Sequence, residues 1–343
     1  MAVTIKDVAK AANLSVASVS RALNGSSSVT EQTRKLVLET ARALRYIPHS
    51  GARSLSTSRT NTVGVVLPDL HGEFFSELIR GIDIVARRRS LHLLVSSSHG
   101  DAHEAGMALR AMSGRVDGLI VMSPHVDASF LAANLPDLLP VVLLNTHAEG
   151  HHCSSLTVDN YGGAAAMVQH LVEIGHRRIF MLAGPANNFE SEERLRGFRE
   201  TMARLVPEAD SSEVNVLRGD FTEESGYRAG HQLRALKHLP DAVFAANDMM
   251  AIGCLFALNE AGFEVPRDLA LVGFDDVPTA RFVTPPLTTV RVRMTEMGSR
   301  ALESLAFTME NPEGTKNSVQ VLQTELVVRR SCGTPKKKAP ARK

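Results

Sequence analysis

Thr4-Ile5-Lys6-Asp7-Val8-Ala9-Lys10-Ala11-Ala12-Asn13-Leu14-Ser15-Val16-Ala17-Ser18-Val19-Ser20-Arg21-Ala22-Leu23-Asn24 holds two helix starts and a tight turn in a short span. Thr4 stands where a first helix needs an N-cap, its side chain accepting from first-turn amides. Ile5, Val8, Ala9 and Ala12 then follow at i, i+3, i+4 and i+7, one apolar helical stripe. Asn13 tolerates the left-handed backbone that a tight turn requires. Ser15 caps a second helix running to about Leu23. At about 100° per residue, Val19 and Leu23 face inward with Ala9 and Ala12, while Ala17, Ser18 and Arg21 face out. Thr30 caps a third helix with the stripe Leu36, Val37, Ala41 and Leu44. The spacing predicts a helix-turn-helix, although a three-helix bundle that packs another protein has the same periodicity.

Charge favours the first alternative. Residues 1–60 hold nine Lys/Arg against three Asp/Glu, a net of +6, and the remainder holds 29 against 34, a net of −5. A basic head on an acidic body suits a head that meets phosphates. The basic end Lys336–Lys343 reads as a solubilising tail with weak nonspecific attraction to DNA as the alternative. It lacks a leucine heptad, so no tetramerisation coil is expected. The charged N-terminus predicts no signal peptide, and no apolar run is long enough to span a membrane. Cys153, Cys254 and Cys332 are scattered, as reduced thiols in a cytoplasmic protein would be.

The strings Thr4–Ala9 and Ser15–Asn24, followed by Tyr46-Ile47-Pro48 and Ala52-Arg53-Ser54-Leu55, closely resemble the headpiece of the LacI/GalR (lactose and galactose repressor) family. The resemblance implies that the second helix lies in the major groove of a near-palindromic, double-stranded operator, with Val16, Ala17 and Arg21 reading bases. Arg21 can pair bidentately with a guanine, whereas Val16 and Ala17 offer only shape or a methyl contact. A core role for Val16 is the competing reading. Thr4, Ser15, Ser18, Ser20, Asn24 and Tyr46 are expected at the DNA backbone. The segment 48–60 resembles the family's hinge helix, whose Ala52, Arg53 and Leu55 would meet the minor groove, Leu55 as the wedge. Gly51 weakens such a helix by roughly 1 kcal/mol relative to alanine.

From Thr62 strands and amphipathic helices alternate. Strands are expected at Val63–Leu67, Leu91–Val95, Gly118–Met122, Val141–Leu144, Leu156–Val158, Ile179–Ala183, Val214–Leu217, Ala242–Ala246 and Leu269–Phe274. This is an α/β pattern, with too many strands for one small sheet, and it predicts two doubly wound subdomains with a ligand cleft at the strand ends. The strings Val116–Ile120, Val158–Asn160, Arg194–Phe198, Ala246–Asp248 and Val272–Asp275 resemble the family's periplasmic-binding-protein-like (type I) effector domain, as do Pro285–Val290 and Leu326–Ser331. The implied organisation is an all-α helix-turn-helix headpiece over 1–47 and a hinge over 48–60. An effector-binding and dimerisation domain follows over 61–330, and a tail over 331–343. Within it, 61–160 plus about 291–320 forms one subdomain, and 161–290 plus 321–330 the other.

Carried over position by position, the resemblance places Phe74 or Phe75, Asn145, Asn188, Glu190, Arg194, Phe221, Asn247 and Asp275 in the effector pocket. Apolar ring faces with bidentate polar groups from Arg194, Asn247 and Asp275 suit a mono- or oligosaccharide. Asn188 and Glu190 stand where a purine-binding relative carries other polar residues, which disfavours a purine. Core roles for Phe74 and Phe75, and a purely structural Arg194–Asp275 pair, remain open here. Asp159 reads equally as a helix cap. His151-His152-Cys153 lacks metal-ligand spacing, and Gly162-Gly163 lacks the spacing and lysine of a nucleotide loop, so no metal and no cofactor is expected. The implied function is that of a homodimeric, effector-controlled transcriptional regulator, a repressor rather than an enzyme. The alternative is a helix-turn-helix fused to a sugar kinase or isomerase, for which no nucleophile–base pair is found.

Overall fold

The computed structural model describes residues 3–46, 59–135, 139–146, 153–207, 216–311 and 318–334. Ile47–Ser58, including Gly51, Ala52, Arg53 and Leu55 of the expected hinge, lie outside these residues, as do His151, His152 and the tail from residue 335. The chain divides into two compact units: residues 1–62 with 115–117, and the remainder.

In the first unit, α1 (Ile5–Ala11), α2 (Val16–Leu23) and α3 (Glu31–Ala43) enclose a small core. Val8, Ala9, Val19, Ala22, Val37 and Ala41 are buried there, with Ile5, Leu14, Leu23, Leu44 and Tyr46 packed around them. Asn13 has φ 54° at the turn, as expected. Ser15 accepts from Ser18 N–H at 3.1 Å and Thr30 accepts from Thr33 N–H at 3.3 Å, so both caps form. Thr4 caps α1 in a capping box with Asp7, whose carboxylate accepts from both the N–H and the Oγ1 of Thr4, each at 2.8 Å. Leu36 is misassigned by the periodicity: it is 46 % exposed. Val37, Ala41 and Leu44 already form the i, i+4, i+7 stripe, and Leu36 stands about 100° away from Val37 around the helix.

Still in this unit, the Asp117 carboxylate gathers the chain at Thr60 and Asn61. It accepts from Thr60 N–H at 2.7 Å, Thr60 Oγ1 at 2.8 Å and Asn61 N–H at 2.7 Å.

The second unit contains two parallel sheets with helices on their faces. One has the order β2-β1-β3-β4-β5-β11, where β1 is Thr62–Leu67, β2 His92–Ser97, β3 Gly118–Met122, β4 Val141–Leu144, β5 Ser154–Val158 and β11 Val319–Leu322. The other has the order β7-β6-β8-β9, with β6 Ile179–Ala183, β7 Val216–Arg218, β8 Ala242–Ala245 and β9 Ala270–Val272. A short antiparallel ribbon pairs β10 (Thr289–Arg291) with β12 (Glu325–Val327). The strands β10, β11 and β12 escaped the sequence reading because polar residues break each of them (Thr289-Val290-Arg291, Val319-Gln320-Val321-Leu322, Glu325-Leu326-Val327), so no apolar run marks them. β11 continues to Leu322 beside β5, so the first sheet extends past residue 320.

The strands read as continuous apolar runs because helices cover the sheets. The helices are α4 (Glu73–Arg88), α5 (Ala102–Met112), α6 (Ala128–Asn134), α7 (Asn160–Glu173), α8 (Phe189–Leu205), α9 (Glu223–Arg234), α10 (Asp248–Glu260) and α11 (Met294–Glu310). α11 returns to lie on α4, where Thr295 Oγ1 donates to Glu77 at 2.8 Å and Ser299 Oγ to the Gly81 carbonyl at 3.0 Å. Phe244, Phe274, Leu67, Leu78, Leu119 and Ile120 are fully buried. Each contributes on the order of 1.5–3 kcal/mol of transfer free energy. This packing fixes the strand ends, and the carboxyl ends of both sheets carry the residues that line the cavity described next.

Candidate functional site: an exposed helix face and an acidic cavity

On the first unit, burial sorts α2 into two faces. Val19 and Ala22 are buried, while Val16, Ala17 and Arg21 are exposed. Val16 is 41 % exposed, which removes its core reading. Arg21 makes no ion pair among the described residues. Ser15 and Ser18 share a hydroxyl contact at 2.9 Å beside them. Ser20 and Asn24 are half-buried at the end of the helix, with a long 3.5 Å bond between them. Tyr46 packs against the headpiece core, and its N–H donates to the Ala41 carbonyl at 2.8 Å. α2 thus presents a cation and two small apolar side chains on one rigid face, a surface that suits a base edge flanked by methyl groups.

On the second unit, loops after seven strands converge on a cavity of about 330 Å3. Asp69 follows β1, His99 follows β2, His125 follows β3, and Asn188 follows β6. Phe221, Asn247 and Asp275 follow β7, β8 and β9 in turn. Phe74 and Phe75, in the first turn of α4, meet edge to face with centroids 5.3 Å apart and complete an apolar wall. Both are half-buried and line the cavity while packing on the core, so the two readings of them hold together. Phe221 has φ 71°, and its ring lies where a side chain on Gly184 would be. Glycine at 184 is what lets the ring settle.

The buried side of the cavity is a network centred on Arg194, which is 3 % exposed. Its Nε donates to Asn160 Oδ1 at 2.8 Å and its Nη1 to the Ala246 carbonyl at 2.6 Å. Its Nη2 lies 3.3 Å from Asp275 Oδ1 and 3.7 Å from Glu190 Oε1. The guanidinium also stacks 3.9 Å from the Phe274 ring centroid. Burial pushes the Asp275 carboxyl up to about 7, with Arg194 opposing and Glu190 adding to the rise. Burial raises Glu190 as well, against the pull of Arg194 and Asn145. Behind them Asp248 is fully buried and raised well above the usual carboxylate range by burial and then by Asp275. It accepts from Thr289 Oγ1 at 2.6 Å and Val277 N–H at 2.9 Å.

Three expected roles change. Asn145 does not line the cavity. With φ 51° it turns inward, donating to Glu190 Oε1 at 2.7 Å and accepting from Val158 N–H at 3.0 Å. Its role is to hold Glu190. Arg194 has its Nε and Nη1 hydrogen-bonded within the protein and its Nη2 ion-paired with Asp275 and Glu190, so the bidentate grip expected of it does not form in this arrangement. Asn247 likewise donates to the Phe221 carbonyl at 2.9 Å and caps α10 through Met250 N–H at 3.0 Å. Asn188 caps α8 through Ser191 N–H at 3.0 Å, and Asp159 caps α7 through Gly162 N–H at 2.8 Å. The lining also includes Asp69, His71, His99, His125, Asp220 and Glu223, which sequence reasoning missed. They sit in loops or at a helix start, where no periodicity marks the direction of a side chain. Among the described residues no group of His, Cys, Asp and Glu is arranged to hold a metal ion.

Residues 4–49 match the family of "Bacterial regulatory proteins, lacI family", and residues 168–332 match the "Periplasmic binding protein-like domain". Catabolite control protein A of Priestia megaterium is 34 % identical over 334 residues, covering 96 % of this chain and 99 % of that protein. The chain belongs to the lacI family. Another member, the transcriptional repressor CytR of Escherichia coli K12, is 33 % identical over 331 residues, covering 96 % of each chain. Among solved structures, a lac repressor dimer bound to operator and the anti-inducer ONPF superposes with a TM-score of 0.84 at 27 % identity, covering 97 % of this chain and all of that one. The complex of the regulator CelR with cellobiose gives 0.69 at 31 % identity, covering 96 % and 99 %. These lacI-family proteins are DNA-binding transcriptional regulators, not sugar kinases or isomerases, and the fold here is theirs: a helix-turn-helix domain with an α/β periplasmic-binding-protein-like domain.

Proposed function

We propose that this lacI-family regulator is a cytoplasmic repressor whose affinity for a near-palindromic operator is set by a small sugar held in the cavity around Phe74, Phe75, Phe221 and Asp275. The observation that carries the reading is the cavity itself, with strand ends of both sheets contributing walls. A ligand touching both walls favours one relative placement of the sheets over others, and that preference is what an effector needs. Aromatic faces beside hydrogen-bonding side chains suit the two chemistries of a pyranose ring.

The DNA-contacting reading assigns Arg21 the hydrogen-bonded base contact, with Val16 and Ala17 giving shape. Thr4, Ser15, Ser18, Ser20, Asn24 and Tyr46 serve the phosphates, and Ala52, Arg53 and Leu55 the minor groove. A homodimer supplies the twofold symmetry of such an operator. The lac repressor dimer on its operator and the cellobiose complex of CelR support these assignments by likeness. The experiment is selection of bound duplexes from a random pool, followed by operator titration with and without each member of a sugar panel. A sugar that changes operator affinity supports the reading, and sugars that bind without changing it refute effector control.

A further inference from the structure

We propose that the cavity takes a ligand rich in hydrogen-bond donors and free of anionic groups, so that a sugar or amino sugar is admitted while its phosphate ester or acid is excluded. This rests on the cavity being the effector site. Five carboxylates line it, those of Asp69, Glu190, Asp220, Glu223 and Asp275, against the single guanidinium of Arg194 among the described residues. That guanidinium is not free. Asn160 and the Ala246 carbonyl take its Nε and Nη1, while Asp275 and Glu190 face its Nη2 at 3.3 and 3.7 Å. An incoming phosphate has to compete with two buried carboxylates for a cation already paired.

Helix N-termini are the other common source of anion affinity. Four reach this cavity wall; three are closed by a side-chain cap, and the fourth, α4, has Gly72 at its N-cap with no side-chain bond but carries Glu73 in its first turn. Asn188 caps α8, which carries Glu190 in its first turn; Thr222 caps α9, which carries Glu223; and Asn247 caps α10, which begins with Asp248. The capped amides have their acceptors, and Glu73, Glu190 and Glu223 stand in the first turns of α4, α8 and α9. The remaining source of positive charge is histidine. His71 Nε2 lies 3.6 Å from Glu223, and burial holds His125 towards its neutral form. His99 Nδ1 shares a 3.5 Å contact with Ser97 Oγ.

What the wall offers instead is acceptors. Asp275 is 4 % exposed, yet its Oδ1 has no hydrogen-bond partner of good geometry, the Arg194 contact being close but off-angle. A ligand hydroxyl or ammonium supplies the missing donor.

The test is calorimetric titration of the full-length protein at neutral pH and fixed ionic strength, with each neutral sugar paired with its phosphate ester. Glucose, cellobiose and glucosamine form the donor arms, and glucose 6-phosphate, cellobiose phosphate and gluconate the anionic ones. Comparing glucose with glucosamine tells whether hydroxyls suffice or an ammonium is needed. The expected result is a donor ligand that binds about tenfold or more tightly than its phosphate ester. Asp275→Asn, which takes one charge partner from Arg194, should narrow that ratio, with circular dichroism confirming the fold. A phosphate ester that binds as tightly as its parent sugar overturns the inference; if it also shifts operator affinity, effector control survives and only the ligand class fails. A panel silent in every arm counts against both.

Discussion

Arg194 Nη2 lies 3.3 Å from Asp275 Oδ1, and both side chains are almost wholly buried beside the cavity. Taking away either partner leaves charge in a medium that cannot solvate it, a loss of about 3–5 kcal/mol for a buried pair. Arg194→Met is therefore expected to lower stability by that order in denaturant unfolding. Two raised carboxyls, Glu190 and Asp275, lose their cation together in this variant. A loss of under about 1 kcal/mol would place the pair among those that contribute little.

The pH dependence follows from the sign of the Asp275 shift. Its carboxyl stands at about 7 in the folded protein, above its ordinary 3.8. The native state therefore binds more protons than the unfolded chain between those values. The stabilising contribution is full below about pH 4 and is lost as pH rises through about 7. Asp275→Asn should flatten this part of the stability profile, measured as melting temperature against pH. An unchanged slope would assign the proton elsewhere in the Glu190–Asp248–Asp275 cluster.

Arg21→Ala should cost about 1–3 kcal/mol of operator affinity and relax selectivity at one base pair per half-site. Fluorescence anisotropy on the selected operator and its single-base variants measures both. A uniform loss across all variants would instead make Arg21 a phosphate contact.

Asp117→Ala strips the acceptor from Thr60 N–H, Thr60 Oγ1 and Asn61 N–H together. Donors left partly buried cost roughly 1–3 kcal/mol. Thermal unfolding should show a lower midpoint, and Asp117→Asn, which keeps one carbonyl acceptor, should recover part of it.

Much of this is legible in the sequence. The headpiece helices were legible because caps and apolar stripes are local signals, and the long buried strands because helix-covered sheets make unbroken apolar runs. Eight of the nine positions expected at an effector site (Phe74, Phe75, Asn188, Glu190, Arg194, Phe221, Asn247 and Asp275) line one cavity. Their hydrogen bonding was not legible. Asn145 points away because of a left-handed backbone at the end of β4, and Arg194 and Asn247 spend their donors inside the protein. Such choices depend on which carbonyl or carboxylate the fold brings near, and spacing along the chain carries no record of that. The histidines at 71, 99 and 125 were hidden for the same reason, since each lies in a loop from a different strand.

The most direct test of the account is a thermodynamic cycle on the full-length protein: operator affinity with and without the bound sugar, and sugar affinity with and without operator. The account requires the two ratios to agree, and both to differ from one. It further requires Asp275→Asn to change the sugar arm. A sugar that occupies the cavity while operator affinity stays unchanged would contradict it.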